Sequence, residues 1–488
     1  MEFEKFPVIM QRYSFEAIMN KCAGYARRIM SVHGVDVEKA MKNRLPFPWE
    51  LEVIVLFGLM IEKKYDFREF KGKHKRDFTK MVNCVREYEH PDLKNKMTLD
   101  WVNKYTMATG LIQFSVQEEF RHKLYRYHYY FTFQNEKVNM KKLFEEFFGT
   151  PYFEFVVLVL ILYTLYSSEN FFNQSVNPLE RKILEYIMNK YHLEVKQLLI
   201  SRKEFIKIQS LILKGNINNY YYSFKYFYQY PFIEHENKIF LPLPYLLNNA
   251  ITDSLLYRLT QGNNGLRDLI GKEVMENYLY DLLTDSMAYD EICKERSYTS
   301  HGTQAYSPDV LVRKNNCCIL FDSKASAPLI ALREFEVTSI EKMIQRYSEA
   351  IAQMYKQIQN FDLFNPFEHD FDNNNVFGVI VIYQDSNIFR KRVYEKTAQM
   401  LELEPDTYEY QYLQSNILIL TLSDIERFSL TSNNFISGLI SRRDDRMKWN
   451  DLTVNNEIYS NHSSTKKLSD FLSDCRKRVF AILGNFDW

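Results

Sequence analysis

The sequence predicts an α+β, multidomain protein, with a mostly helical N-terminal region followed by an α/β core in which helices flank a mixed sheet. Three observations carry this expectation. The chain has 488 residues, more than one small core can organise, so two or three domains are expected. Glycine (14) and proline (13) are scarce, which favours long helices. Past the cluster QGNNG at 261–265, short apolar runs of strand character begin to alternate with helical periods.

Residues 1–230 read as helical. In LPFPWELEVIVLFGLMIEKK, prolines precede a long apolar run, and Pro151 likewise stands before YFEFVVLVLILYTLY, at the position where helices accept proline. PLERKILEYIMNKYHLEVKQLLI continues the helical period from Pro178. Residues 231–264 form a connector: PFIEHENKIF suggests a hairpin turning at ENK, and ITDSLLYRLTQ a helix. The core spans 265–425. LRDLIGKEVMENYLYDLLTD is an amphipathic helix, and SPDVLVR and CCILFDSKAS are strands joined by the turn KNN. A long helix follows over 338–361, then buried strands in NNVFGVIVIYQ and NILILTLS. Residues 426–488 are a helical extension, clearest in KKLSDFLSDCRKRVFAILGNF, and no internal repeat is present.

Lys plus Arg equal Asp plus Glu at 62 each, so a polyanionic partner would have to be met by local clusters of charge. Two segments mix basic and aromatic residues, KKYDFREFKGKHKRDF (63–78) and RHKLYRYHYY (121–130); SRRDDRMKWN (441–450) is a third basic cluster. Such mixtures suit phosphate contact with base stacking. They equally suit a solvated helix face over an aromatic core, because 37 Phe and 35 Tyr place rings throughout the chain. The six cysteines form no CxxC pair and no zinc spacing, so reduced thiols in a cytoplasmic setting are expected. The N-terminus lacks an apolar signal core, and the run Phe155 to Tyr166 falls short of the about 20 residues that span a bilayer. A buried helix, with no membrane partner, is therefore expected there. No phosphate-binding loop of the Walker type is present.

Chemistry concentrates in SPDVLVRKNNCCILFDSKAS. Side chains two apart on a strand share a face, so Asp322 and Lys324 project together and Ser323 points the other way. A hairpin would bring Asp309 opposite Asp322. Two carboxylates converging at a strand end make a hard oxygen site suited to Mg²⁺ or Mn²⁺. An ammonium beside them can hold water or balance phosphate charge. A divalent ion polarises a phosphoryl oxygen and acidifies water, which together are the needs of phosphodiester hydrolysis.

Pro308-Asp309 followed by Asp322-Ser323-Lys324 resembles the PD-(D/E)XK nuclease superfamily over residues 265–425. The resemblance implies a restriction-endonuclease-like core, with Asp309 and Asp322 ligating metal and Lys324 orienting or activating the attacking water. That superfamily places a glutamate on the helix before the first core strand, and GKEVMENYL supplies Gly271 and Glu276 there. It often places a glutamine on the helix after the DxK strand, and Gln353 is the candidate; Gln357 stands where some branches carry tyrosine. The implied protein is a metal-dependent endo- or exonuclease acting on nucleic acid, DNA in preference to RNA. A prokaryotic restriction or anti-phage role fits by analogy. A homo-oligomer, or a partner protein supplying activation, remains open.

Bland alternatives stand beside each assignment. Asp309 could serve a turn after proline, and the DSK triplet could be a solvated strand end. Glu273 rivals Glu276 one turn earlier, and Gln353 could be a solvated amide. His301 and the other histidines are scattered and none is marked as a base. An RNA nuclease with the same metal site, a non-cutting binding or assembly protein retaining the fold, and a membrane-associated sensor using Phe155 to Tyr166 are the functional alternatives.

Overall fold

The computed structural model describes residues 5–31, 34–62, 68–88, 99–113, 118–167, 178–286, 288–300, 302–326, 332–333, 335–405, 407–429, 435–442 and 466–484. The chain divides into two compact units: Met1–Trp101 with Ala108–Gly262 and Leu472–Trp488, and Val102–Met107 with Asn263–Phe471. The main division falls inside the QGNNG cluster, where Gly262 takes φ 76° and the Asn263 side chain accepts a hydrogen bond from Leu266 N (3.0 Å) to start the next helix. Residues 231–262, expected as a separate connector, belong to the first unit. The expected extension 426–488 is split within the helix Lys466–Leu483.

The first unit is built around helices that are apolar on every side, and such helices must be buried. Pro48–Met60 opens with proline in its first turn, and the Glu50 carboxylate accepts from Phe47 N at 2.8 Å. From Leu51 to Leu59 every residue is buried. The helix Tyr152–Ser167 is likewise core, with Phe155 to Val159 fully inaccessible. Among the described residues no single helix is long and apolar enough to cross a membrane; Met140–Phe148 and Tyr152–Tyr166 pass that test only as a pair, bent by 67°. The six cysteines are free thiols, five of them buried.

Short strands complete this unit. β1 (Met30–Ser31) pairs with β2 (Gly34–Val35). β3 (Leu199–Ser201), β4 (Phe232–His235) and β5 (Lys238–Phe240) form a three-stranded sheet. The β4–β5 hairpin turns at Glu236-Asn237, both at positive φ, so the turn is two residues and Lys238 joins the strand. The helix expected from Pro178 does not run through. It stops at Lys190, restarts over His192–Leu198, and its last apolar residues become β3, because parallel pairing with Phe232–Glu234 outweighs their local helical preference.

The second unit holds a five-stranded sheet in the order β12-β11-β10-β9-β6. Its strands are β6 (Glu291–Lys294), β9 (Val310–Lys314), β10 (Cys317–Lys324), β11 (Val376–Ile382) and β12 (Ile417–Thr421). β10, β11 and β12 run parallel; β9 is antiparallel to β10 and β6 to β9. Parallel strands are covered on both faces, hence the unbroken apolar runs CCILF, VFGVIVI and ILIL. The helix Val337–Gln359 connects β10 to β11. It lies so close over β11 that a Cβ on Gly378 would stand 2.3 Å from Met354 Cγ. Two strands not anticipated from sequence, β7 (Ser297–Ser300) and β8 (Thr303–Tyr306), lie between β6 and β9 in the chain and, among the described residues, pair only with each other. One face, Ser297, Thr299, Gln304 and Tyr306, is exposed, and the other, Tyr298, Ser300, Thr303 and Ala305, holds no run of large apolar residues, so the apolar alternation is weak.

Candidate active site

The site is set by hairpin register. β9 and β10 pair from Lys314↔Cys317 to Val310↔Phe321 around a turn with Asn315 at φ 54°. Continued by one residue, the register places Asp309 opposite Asp322, just where the ladder ends. Asp322 is 5% exposed at the C-terminal end of β10, and its Oδ2 lies 2.7 Å from Lys324 Nζ. That contact is an ion pair without good hydrogen-bond alignment. Lys324 Nζ also donates to Gln353 Oε1 at 3.3 Å, so the long helix delivers Gln353 to the lysine.

Ser323 makes a contact that the sequence did not predict. Its backbone N donates to Asp309 Oδ2 at 2.6 Å and its Oγ to the same oxygen at 2.7 Å. Asp309 precedes β9, outside the ladder, so its carboxylate is free to reach across to Ser323. The two Oδ1 atoms of Asp309 and Asp322 accept no hydrogen bond from the described residues.

Glu276 arrives on the helix Glu276–Asp285, entered through a π-helical turn, Ile270–Met275. A π turn shifts side-chain direction within a helix. Gly271 in that turn permits close approach to the end of β10: a Cβ there would meet Ala325 Cβ at 3.0 Å. The Glu276 carboxyl is pushed up to about 8, by burial first, then by the negative charges of Asp309 and Glu295, with Asp322 adding and Lys272 opposing. Asp309 is pushed up to about 7 by burial and by Asp322, against the hydrogen bonds from Ser323 and the charge of Lys324. Asp322 is also raised by burial, with Lys324 opposing. Glu276, Asp309 and Asp322 therefore sense one another's charge in a poorly solvated place.

Sequence reasoning missed Glu295. Its N donates to Asp309 O at 2.9 Å, one step beyond the β6–β9 ladder, and only recognition of β6 could have located it. Glu273 is buried, and its carbonyl accepts from Asn277 Nδ2 at 2.7 Å. His301 and residues 443–450 lie outside the described residues, as do 63–67. In the rest of 63–78, Lys71, Lys75 and Arg76 are exposed, while Phe70 stacks on Tyr13 at 4.2 Å.

The segment 121–130 is largely buried. In the helix Phe120–Thr132, Lys123 is 1% and Arg126 0% exposed. Lys123 Nζ is held by Asp253 (2.5 Å), Glu118 (2.7 Å) and Asn249 (2.8 Å), which satisfies its charge inside the core.

The donor set suits a hard divalent cation, because such an ion would offset the mutual repulsion of Glu276, Asp309 and Asp322. The carboxylates are not closed into a cage: among the described residues, no group of three or more His, Cys, Asp or Glu is arranged to hold a metal ion. Ser323 and Lys324 each occupy an oxygen that a cation would take. No family model, curated protein or solved structure matches the chain.

Proposed function

We propose that this protein is a metal-dependent nuclease of the PD-(D/E)XK type, with DNA as substrate and a restriction-endonuclease-like core in its second unit. The observation that carries the reading is the convergence, at the C-terminal end of β10, of Asp309, Asp322 and Lys324 with the Glu276 carboxyl. A helix bearing a glutamate before the first sheet strand, and a helix bearing a glutamine after the DxK strand, support it.

Asp309, Asp322 and Glu276 would hold one or two Mg²⁺ or Mn²⁺, which would supply Lewis acidity toward a phosphoryl oxygen and a more acidic water. The chain's own residues do the rest. Ser323 restrains Asp309 through two hydrogen bonds. Lys324, on giving up its contact with Asp322, presents an ammonium to water or to phosphate oxygen, with Gln353 Oε1 restraining its direction. Burial of Asp322 strengthens each charge interaction by excluding water.

A specific observation favours a second reading, a non-cutting nucleic-acid-binding or assembly protein: the carboxylates are engaged by Ser323 and Lys324 and form no metal cage among the described residues. The deciding experiment is cleavage of plasmid DNA, single-stranded DNA and RNA with Mg²⁺ or Mn²⁺ by wild type, Asp322→Ala and Lys324→Ala. Metal-dependent cutting abolished in both variants supports the nuclease. Absence of both cutting and metal binding in folded wild type sinks it, and RNA cleavage alone would shift the substrate.

A further inference from the structure

The geometry points to the β7–β8 ribbon as the element that engages duplex DNA, through its major groove, beside the proposed active site; this rests on the nuclease reading above. The ribbon is a two-stranded hairpin, Ser297↔Tyr306 to Ser300↔Thr303, that joins no other strand among the described residues. A two-stranded hairpin gains little stability by itself, and the face carrying Ser297, Thr299, Gln304 and Tyr306 is exposed along its length. Its root is firmly held. Ser307 N donates to Arg296 O (2.9 Å), and Arg296 N donates to Ser307 Oγ (2.8 Å). The Tyr298 ring packs on Phe364 at 4.9 Å, and Gln357 Nε2 donates to Tyr306 O at 3.3 Å.

That last bond places the ribbon. Gln357 lies one helical turn after Gln353, whose amide touches Lys324, so the ribbon root stands roughly 6 Å along the same helix from the lysine's partner. Asp309 follows Tyr306 by three residues. A polymer lying along the ribbon therefore reaches the carboxylates without any rearrangement of the long helix.

Charge and shape select the partner. From Arg296 to Pro308 the sequence has no acidic residue, although Glu295 and Asp309 flank it immediately. Thr299 and Gln304 form a cross-strand pair, both exposed, and the pair Ser297 and Tyr306 is exposed beside them on the same face. These are neutral donors and acceptors, suited to phosphates and base edges. The two strands lie about 5 Å apart, and the B-DNA major groove, about 12 Å wide, admits such a ribbon. The A-form major groove of RNA is too deep and narrow for it. A single-stranded platform needs a row of free rings; here Tyr298 is committed to Phe364, leaving Tyr306 as the exposed ring.

The test is fluorescence anisotropy with a labelled random-sequence DNA duplex in Ca²⁺, where binding is read apart from cutting. Wild type is compared with Thr299→Glu/Gln304→Glu and Thr299→Lys/Gln304→Lys, each checked for an unchanged melting temperature. Two added acids are expected to weaken duplex binding about tenfold or more, and two added lysines to tighten it. Opposite shifts cannot come from unfolding. Affinity unmoved by both pairs, or no duplex binding by wild type, overturns the assignment, as does tighter ribbon-dependent binding of single-stranded DNA or RNA. Cleavage of bis(p-nitrophenyl) phosphate by wild type with Mn²⁺ reports on the catalytic reading separately.

Discussion

Replacing Glu276 by glutamine should stabilise the metal-free protein at alkaline pH. In an unfolded chain this carboxyl ionises in the ordinary glutamate range, whereas in the fold it is pushed up to about 8 by burial and by Asp309 and Glu295. Between those values the folded state keeps a proton that the unfolded state has released. Stability is thus fully present below the ordinary glutamate range and falls as pH rises through about 8. At 1.36 kcal/mol per pH unit the shift sets a ceiling of about 5 kcal/mol; solvent screening at this partly exposed group brings the expected loss to about 2 kcal/mol. Glutamine is nearly isosteric and does not titrate, so it removes the loss. Melting in EDTA, followed by circular dichroism, should show Glu276→Gln and wild type alike near pH 5. Near pH 8 the variant should melt about 4–8 °C higher, given about 2–4 °C per kcal/mol for a unit of this size. Mn²⁺ should shrink that gap, by stabilising wild type through the same carboxylate. A variant equal to or less stable than wild type near pH 8 in EDTA would refute the crowding of negative charge on which the site is built.

Two further outcomes bear on how the site is supported. Lys324→Met takes away the ammonium 2.7 Å from buried Asp322, and should cost about 3 kcal/mol in urea denaturation at neutral pH. The cost should be smaller in acid, where Asp322 is protonated, and Asp322→Asn/Lys324→Met should recover most of it; equal destabilisation at both pH values would count against the ion pair. Gly378→Ala adds a methyl 2.3 Å from Met354 Cγ and should cost about 1–3 kcal/mol. With Met354→Ala present the same change should cost much less, and strict additivity of the two would show that the helix does not press on β11 there.

Much of the candidate site was legible because it is local. Alternation fixes which strand residues share a face, and the Asn315 turn fixes register, so the Asp309–Asp322 pairing follows from one short segment. Glu276 and Gln353 entered through resemblance; the structure adds the reasons for Gly271 and Gly378, which are close approaches between distant elements. The contact between Ser323 and Asp309 was not anticipated because Asp309 lies beyond the end of its ladder, where alternation ceases to constrain it.

The sequence by itself determined the apolar helices Pro48–Met60 and Tyr152–Ser167, the two hairpins with asparagine turns, the long helix and the division near Gly262. Each rests on periodicity or backbone preference acting over a few neighbouring residues. Tertiary structure alone decided that Leu199–Ser201 leaves its helix for a sheet and that Lys123 and Arg126 lie in a core instead of on a surface. It also decided that β10, β11 and β12 run parallel and that Glu295 N reaches Asp309 O. Those outcomes depend on partners far away in the chain, whose pairing and desolvation energies exceed local preference; the apolar runs show that the strands are buried but not which strand pairs with which.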